Sequence, residues 1–424
     1  MQWAIFAFWM GYNHPVRTRH VTGDILASLA DSPVTMLLGA RQTGKSTLAQ
    51  AIAAGPHPAD YLTLDDAVVL AAASADPQGF VAGLGGAVVL DEVQRVPALF
   101  PAIKIAVDRE RRPGRFFLTG SANVLLLPAV SESLAGRMEL HTLWPFSQGE
   151  VDGVMEGFVE RLFGWLELPP AGARGLPLEE RMLRGGYPPA VERATARGRE
   201  GWIRSYVSTV LQRDVRDLAN IERLAELPRL LQLLAARASG HLNLADLSRT
   251  LGIPQTTLQR YVTLLEHVFI AVRIPAWYAN IGQRLVKSPK LLVNDSALMA
   301  HLLGLSSERL ARERTLAGAL LENFVGMELL KQCSWSKRTV RLLHYRTAKG
   351  MEVDFVLEDA SGLVAGVEVK AAATVGASDL RGLRALADRI GSRFAGGVIL
   401  YTGDTVVPVG ERLAVWPVEA LWAP

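Results

Sequence analysis

Cysteine is nearly missing from this sequence: Cys333 is the single one in 424 residues. That excludes an internal disulfide framework and a cysteine-based zinc site, and it fits a reducing, cytoplasmic setting. Apolar runs of membrane-spanning length are missing too. The N-terminal run Met1 to Met10 (MQWAIFAFWM) is broken by Gly11-Tyr12-Asn13-His14-Pro15, well short of the roughly 20 residues a spanning helix needs. No basic stretch precedes it and no clear small-residue cleavage site follows it. It reads as a packing or dispensable extension over residues 1–14, not as an anchor, and no membrane partner is expected. Neither sign of charge dominates. The 45 Lys+Arg against 42 Asp+Glu leave a net +3, so any nucleic-acid surface would have to be local despite a sequence pI of 9.0. With 49% hydrophobic and 21% charged residues, the chain is globular and long enough for two or three domains.

What is present is concentrated in one stretch, Gly39-Ala40-Arg41-Gln42-Thr43-Gly44-Lys45-Ser46, followed by Thr47. It fits G-x-x-x-x-G-K-[ST] between an apolar strand, Val34 to Leu38, and a helical run, Thr47 to Ala54, which is the context the motif requires. Glycines let the backbone curl so that successive N–H groups face phosphate oxygens, and the helix N-terminus adds partial positive charge. Lys45 would reach the β- and γ-phosphates and Ser46 would ligate Mg²⁺. The bland alternative is a glycine-rich turn with an exposed lysine; the strand-to-helix setting favours a nucleotide site.

Further strand candidates follow at Tyr61–Leu64, Ala87–Leu90 and Arg115–Leu118, with helical stretches between them, which predicts a parallel sheet with ligands at its carboxyl edge. The third closes in Asp91-Glu92, a Walker B pattern: Asp91 to hold Mg²⁺, Glu92 to activate water. The fourth ends Thr119-Gly120-Ser121, where Thr119 and Ser121 are candidates to sense the γ-phosphate. Asp65-Asp66 reads more readily as a helix cap than as a site. Arg137 is either a finger on γ-phosphate charge or a surface ion pair. The basic cluster Arg109, Arg111, Arg112 and Arg115 is interrupted by acids and reads as a solvated face. No guanine-reading N-K-x-D follows the fourth strand.

The pieces LLGARQTGKSTLAQ, LDEVQ, FLTGS, SLAGR, GGYPPAV (Gly185 to Val191), YVSTVLQRDVRDL (Tyr206 to Leu218), and Lys287-Ser288-Pro289-Lys290 with Asp295 occur in this order. Together they resemble a widespread prokaryotic family of AAA-type P-loop ATPases with a C-terminal region of unknown function. The resemblance runs from about residue 15 onward and leaves out the apolar extension. It implies ATP binding and Mg²⁺-dependent hydrolysis at the residues named.

Domain expectations are a P-loop domain over 15–150 and a helical lid or linker over 151–222. From 223 to 285 the spacing predicts helix-turn-helix: a leucine-rich helix from Leu227, a second over Leu244–Leu251, a break at Gly252-Ile253-Pro254, and a third from Gln255. Val268 to Ile274 would be the wing strand of a winged helix. Gln255, Thr256 and Gln259 are suited to bases or phosphates, although the same module also serves protein contacts. The implied partners are ATP and a DNA or protein partner, with homo-oligomerisation open.

Residues 286–424 carry Glu322 on a helix and a hairpin, Met351 to Glu358 and Leu363 to Lys370, turning at Asp359-Ala360-Ser361-Gly362. Strand alternation puts Glu352, Asp354 and Val356 on one face and Val353, Phe355 and Leu357 on the other, so that Asp354, Glu368 and Lys370 converge. Two carboxylates for a divalent metal and a lysine beside water are phosphodiester-cleavage chemistry. D-x₁₃-E-x-K resembles the PD-(D/E)xK restriction-endonuclease-like fold, without the proline that names the motif. The alternative is an exposed hairpin of alternating charge. The reading is an α/β ATPase with a winged-helix-like middle and an endonuclease-like end: a nucleotide-driven switch, an ATP-regulated nuclease, or a nucleotide-binding module without turnover.

Overall fold

The computed structural model describes residues 17–121, 134–165, 175–211, 226–278, 284, 287–347 and 350–424. The N-terminal extension, Ser133 of SLAGR and the second half of Tyr206 to Leu218 lie outside the described residues. The chain forms two compact units: residues up to Trp144 with His267–Phe269, and Pro145–Glu266 with Ile270–Pro424.

In the first unit, β1 (Val34–Leu38), β2 (Asp60–Thr63), β3 (Val88–Asp91), β4 (Phe116–Gly120) and β5 (Met138–Thr142) form one sheet in the order β2-β3-β4-β1-β5. Every ladder is parallel. β1, β3 and β4 are buried throughout, as expected where helices cover both faces. The helix Lys45–Ala53 lays Leu48, Ala49 and Ile52 against Leu37, Val89 and Phe117, and the helix Thr22–Asp31 adds Ile25 and Leu29 to the same core. Each such side chain contributes about 1.5–3 kcal/mol when fully buried. Four of these strands, β1 to β4, lie where the apolar runs of the sequence place them. β5 does not, because Met138–Thr142 is a half-exposed edge strand with no apolar run to mark it. Since β4 lies between β1 and β3, the ends of those three strands bring the P-loop, Asp91 and Thr119 together.

In the second unit the expected helical triple is present as Leu227–Ala236, Leu244–Leu251 and Gln255–His267. Asn243 caps the middle helix by accepting from the Asp246 N–H at 3.0 Å, and Gly252 ends it in the left-handed region at φ 68°. β6 (Ala271–Ile274) then pairs antiparallel with β7 (Lys290–Val293). That ladder crosses the boundary expected between residues 285 and 286. β6 thus takes its partner from the segment beyond that boundary.

The rest of this unit is a six-stranded mixed sheet, β12-β13-β11-β10-β9-β8. It comprises β8 (Val340–Arg346), β9 (Glu352–Asp359), β10 (Val364–Lys370), β11 (Phe394–Tyr401), β12 (Val407–Pro408) and β13 (Leu413–Pro417). The β9–β10 turn forms as expected: Asp359 Oδ1 accepts from the Ser361 and Leu363 N–H groups at 2.9 and 3.0 Å. The strict alternation expected along β9 does not hold. β9 spends three steps between Val353 and Val356 where β8 spends two between Tyr345 and Leu343. This bulge puts Val353 and Val356 into one core cluster with Leu383 and Leu386 of the helix Arg381–Ile390. Phe355 instead meets Gly326 of the helix Arg314–Cys333. An extra residue resets which face each side chain takes.

Candidate functional site

The P-loop follows β1 and is shaped by left-handed backbone. Gln42 (φ 64°) and Gly44 (φ 94°) lie there, and Gly44 caps the helix Lys45–Ala53. Gly39 leaves no choice of residue: a Cβ there would stand 2.3 Å from the Leu143 carbonyl oxygen, beside the Leu143 N–H bond to Leu38 O at 2.7 Å. Lys45 is buried and its ammonium donates to Gly39 O and Ala40 O at 3.0 and 2.8 Å. Thr43 Oγ1 donates to Ala40 O at 2.9 Å. Arg41 and Gln42 at the loop's tip are half-exposed and exposed. Arg19, which sequence reading passed over, braces the loop by donating to Thr43 O at 2.7 Å and to Trp144 O at 2.6 Å.

Asp91 is buried and ringed by hydroxyls. Ser46 Oγ lies 3.0 Å from each of its oxygens, Tyr61 donates at 2.7 Å and Thr63 at 3.3 Å, and Thr119 Oγ1 donates from β4. Burial, reinforced by the Asp91 carboxylate, pushes the Tyr61 phenol well above its ordinary range. Glu92 stands in the left-handed region at φ 58°, a strained setting for a non-glycine residue. Its carboxylate accepts from Ser121 Oγ at 2.9 Å and from Gln94 Nε2, and its N–H donates to Thr119 Oγ1 at 3.1 Å. Thr119 and Ser121 thus hold the two acids in place. Ser46 and Asp91 fit Mg²⁺ by chemistry and placement: both offer hard oxygen, and they already face one another from the loop and β3.

Arg137 does not join this group. β5 runs parallel to β1 with Met138 opposite Val34 and Thr142 opposite Leu38. Arg137 therefore precedes the amino edge of the sheet, roughly 15 Å of strand from the P-loop edge, and its guanidinium pairs with Asp108 at 2.5 Å. The finger reading does not hold for its own site. Asp66 caps the following helix, accepting from Val68 and Val69 N–H at 2.8 and 3.1 Å. Gln255 and Thr256 are exposed at the start of the helix Gln255–His267, whereas Gln259 is half-buried within reach of Thr263 Oγ1 at 3.5 Å.

At the C-terminal end, Glu322, Asp354, Glu368 and Lys370 do come together. The β9–β10 ladder stops at Phe355 and Val367, and beyond it the Asp354 carboxylate takes over by accepting from the Val369 N–H at 2.9 Å. Lys370 Nζ lies 3.1 Å from Glu368. In the midst of these acids is Lys290, wholly buried at the head of β7. Its ammonium is 2.5 Å from Glu322, 3.3 Å from Asp354 and 3.7 Å from Glu352, and it lies over the Phe355 ring at 5.0 Å. Burial and neighbouring Asp354 push Glu322 up to about 8 and Glu368 up to about 7. Glu352 is held down at about 2 by His241 and Lys290 against the pull of its own burial. No group of three or more His, Cys, Asp or Glu among the described residues is arranged to hold a metal. The divalent metal that a nuclease reading requires does not fit beside the buried ammonium.

Arg19, Tyr61, Thr63, Gln94 and Lys290 are site residues without a role in the sequence analysis. Lys290 had a signal: a lysine heading the apolar run Leu291-Leu292-Val293 has to find a buried counter-charge. Gln94 and Tyr61 had none, since their roles depend on a strand neighbour.

Residues 31–152 match the family model of an AAA domain. Residues 176–309 and 317–421 match two domains of unknown function, DUF8612 and DUF4143. Similar proteins are Uncharacterized protein Rv2008c of Mycobacterium tuberculosis and Uncharacterized protein Mb2031c of Mycobacterium bovis, each 33% identical over 96% of this chain and 85% of theirs. Among solved structures, the Thermotoga maritima RuvB Holliday junction branch migration motor is 18% identical, covering 61% of this chain and 90% of its own at a TM-score of 0.30. A point variant of the same motor stands at 17%, 60%, 89% and 0.29. Likeness that slight bears on nothing here. Among the described residues no helix is long and apolar enough to cross a membrane. The chain belongs to one family with the two mycobacterial proteins, and its N-terminal part is an AAA-type P-loop ATPase domain.

Proposed function

We propose that this protein is a cytoplasmic, Mg²⁺-dependent ATPase whose nucleotide state switches its grip on a protein or DNA partner. The carrying observation is the meeting of Ser46 with Asp91 at 3.0 Å, with Glu92 one residue on. Lys45 would exchange the Gly39 and Ala40 carbonyls for phosphate oxygens, and the loop from Gly39 to Thr47 would supply N–H donors. Bound Mg²⁺ would supply charge neutralisation at the phosphates. Ser46 and Asp91 would hold it, Glu92 would orient and deprotonate water, and Thr119 and Ser121 would report the γ-phosphate.

The switch would act through a winged helix over 223–285 and a restriction-endonuclease-like domain over 286–424. The helical triple with its β6–β7 ladder supports the first, and the mixed sheet carrying acids at a β9–β10 break supports the second. Gln255 and Thr256 are the candidate DNA contacts, with Gln259 less available. Arg137 is left for a neighbouring copy in a homo-oligomer. The nuclease alternative draws on the convergence of Glu322, Asp354, Glu368 and Lys370, and ranks lower because Lys290 stands among them.

Phosphate release measured alone, then with DNA, RNA or cell extract, tests the reading. Stimulation by one of these names the partner class. Glu92→Gln should cut turnover about a hundredfold or more while ATP binding persists. A wild-type protein that binds ATP without releasing phosphate under any of these conditions would sink the proposal in favour of a non-hydrolysing module.

A further inference from the structure

The C-terminal carboxylate cluster gathers its acids around one cation, the protein's own Lys290. One amine faces three carboxylates from two separate elements: Glu322 from the helix Arg314–Cys333, and Glu352 and Asp354 from β9. An ordinary buried ion pair needs one acid per amine. Here Glu368 adds a fourth acid, whose nearest cation is Lys370. The elevated Glu322 and Glu368 carboxyls are what too little positive charge in a buried setting produces.

A divalent ion shared by Glu322 and Asp354 would need their oxygens at about 2.0–2.6 Å. The Lys290 nitrogen already lies 2.5 and 3.3 Å from those same oxygens, so ion and ammonium compete for one volume. The lysine stem has little freedom to withdraw. It is wholly buried, its backbone is held in the β6–β7 ladder opposite Ile274, and its head rests over Phe355.

We propose that Lys290 is the resident cation of this cluster, standing where a divalent metal would bind, and that the site takes such a metal only when the amine is removed. This does not rest on the ATPase reading. It makes the C-terminal domain a scaffold with its cation built in, and with a latent metal position one substitution away.

The test is Mn²⁺ binding followed by electron paramagnetic resonance, without nucleotide. Every protein would carry Ser46→Ala, so that the P-loop contributes nothing. The parent should bind no Mn²⁺ at this cluster below millimolar concentrations. Lys290→Met keeps an unbranched stem over Phe355 and should gain one site with a Kd on the order of 10⁻⁴ M. Adding Asp354→Asn should abolish that site, and Lys290→Arg should stay empty. The proposal is overturned if folded Lys290→Met gains no site, or if Lys290→Arg gains one equally. Should Lys290→Met fail to fold, the parent decides: submillimolar Mn²⁺ binding that Asp354→Asn removes would overturn the proposal, and its absence would support it.

Discussion

The two clusters of acids at the P-loop and at Lys290 differ in what neutralises them. Asp91 and Glu92 are held by neutral donors: the hydroxyls of Ser46, Tyr61, Thr63, Thr119 and Ser121 and the amide of Gln94. Glu322, Asp354, Glu352 and Glu368 are held by the ammoniums of Lys290 and Lys370. A hydroxyl contributes about 1 kcal/mol net and turns away when a better partner arrives. A buried ammonium is a permanent charge, and removing it strands the acids around it. The first arrangement is poised to accept a cation, whereas the second has one built in.

Breaking the second arrangement should have the largest effect. Lys290→Met leaves three acids without their cation, and should destabilise the second unit by about 3–5 kcal/mol at pH 7, read as a lower denaturation midpoint with unchanged slope. In a Ser46→Ala background, millimolar Mn²⁺ should return part of the loss, whereas the parent with Lys290 intact gains nothing from the ion.

A smaller effect follows from Glu322, whose carboxyl is raised from 4.5 to about 8 by burial and Asp354. Unfolded, it loses its proton near 4.5; folded, it keeps it to about 8. Between those values the folded state binds more protons, so this group removes stability as pH rises. Glu322→Gln should abolish that slope, and melting temperatures should therefore gain more at pH 8 than at pH 5. Equal gains at both would mean that the acid is no more strained than a surface carboxylate.

Much of the first unit was legible because its signals are local. The glycine pattern, the apolar strands and the acids closing β3 are each read along the chain without knowing what lies opposite. Tyr61 was not legible, because the bond that matters joins β2 to β3 and follows from register, with Thr63 opposite Asp91. In the second unit the hairpin and its turn were found. Convergence at Asp354 was inferred from strict alternation, which the bulge overturns. The acids still meet, through the Asp354 bond to Val369 and the approach of β7. Lys290 is 64 residues from Asp354, a separation at which spacing carries no information.

Tyr61 offers a finer probe of the neutral cluster. Its phenol holds Asp91 Oδ2 at 2.7 Å, one of the two oxygens a metal shared with Ser46 would use. Tyr61→Phe removes that competitor, worth about 1 kcal/mol, and should lower the Mg²⁺ concentration for half-maximal ATPase roughly fivefold with kcat little changed. A fall in kcat at saturating Mg²⁺ would mean that the phenol positions Asp91 productively and is not a displaceable cap.

The smallest expected effect belongs to Arg137, and it sharpens the contrast between neutral and charged clusters. A guanidinium serving its own P-loop would make the first cluster a charged one as well. The parallel register of β5 on β1 places Arg137 at the sheet's other edge, where it pairs with an exposed Asp108. Exposed pairs of this kind contribute little. Arg137→Ala should leave both the melting temperature and the turnover of dilute protein within error of the wild type. Turnover per chain that rises with protein concentration in the wild type and stays flat in Arg137→Ala would instead place this arginine on a neighbour's phosphate. The neutral cluster would then be complete only between two copies, and its charge would arrive from outside the chain.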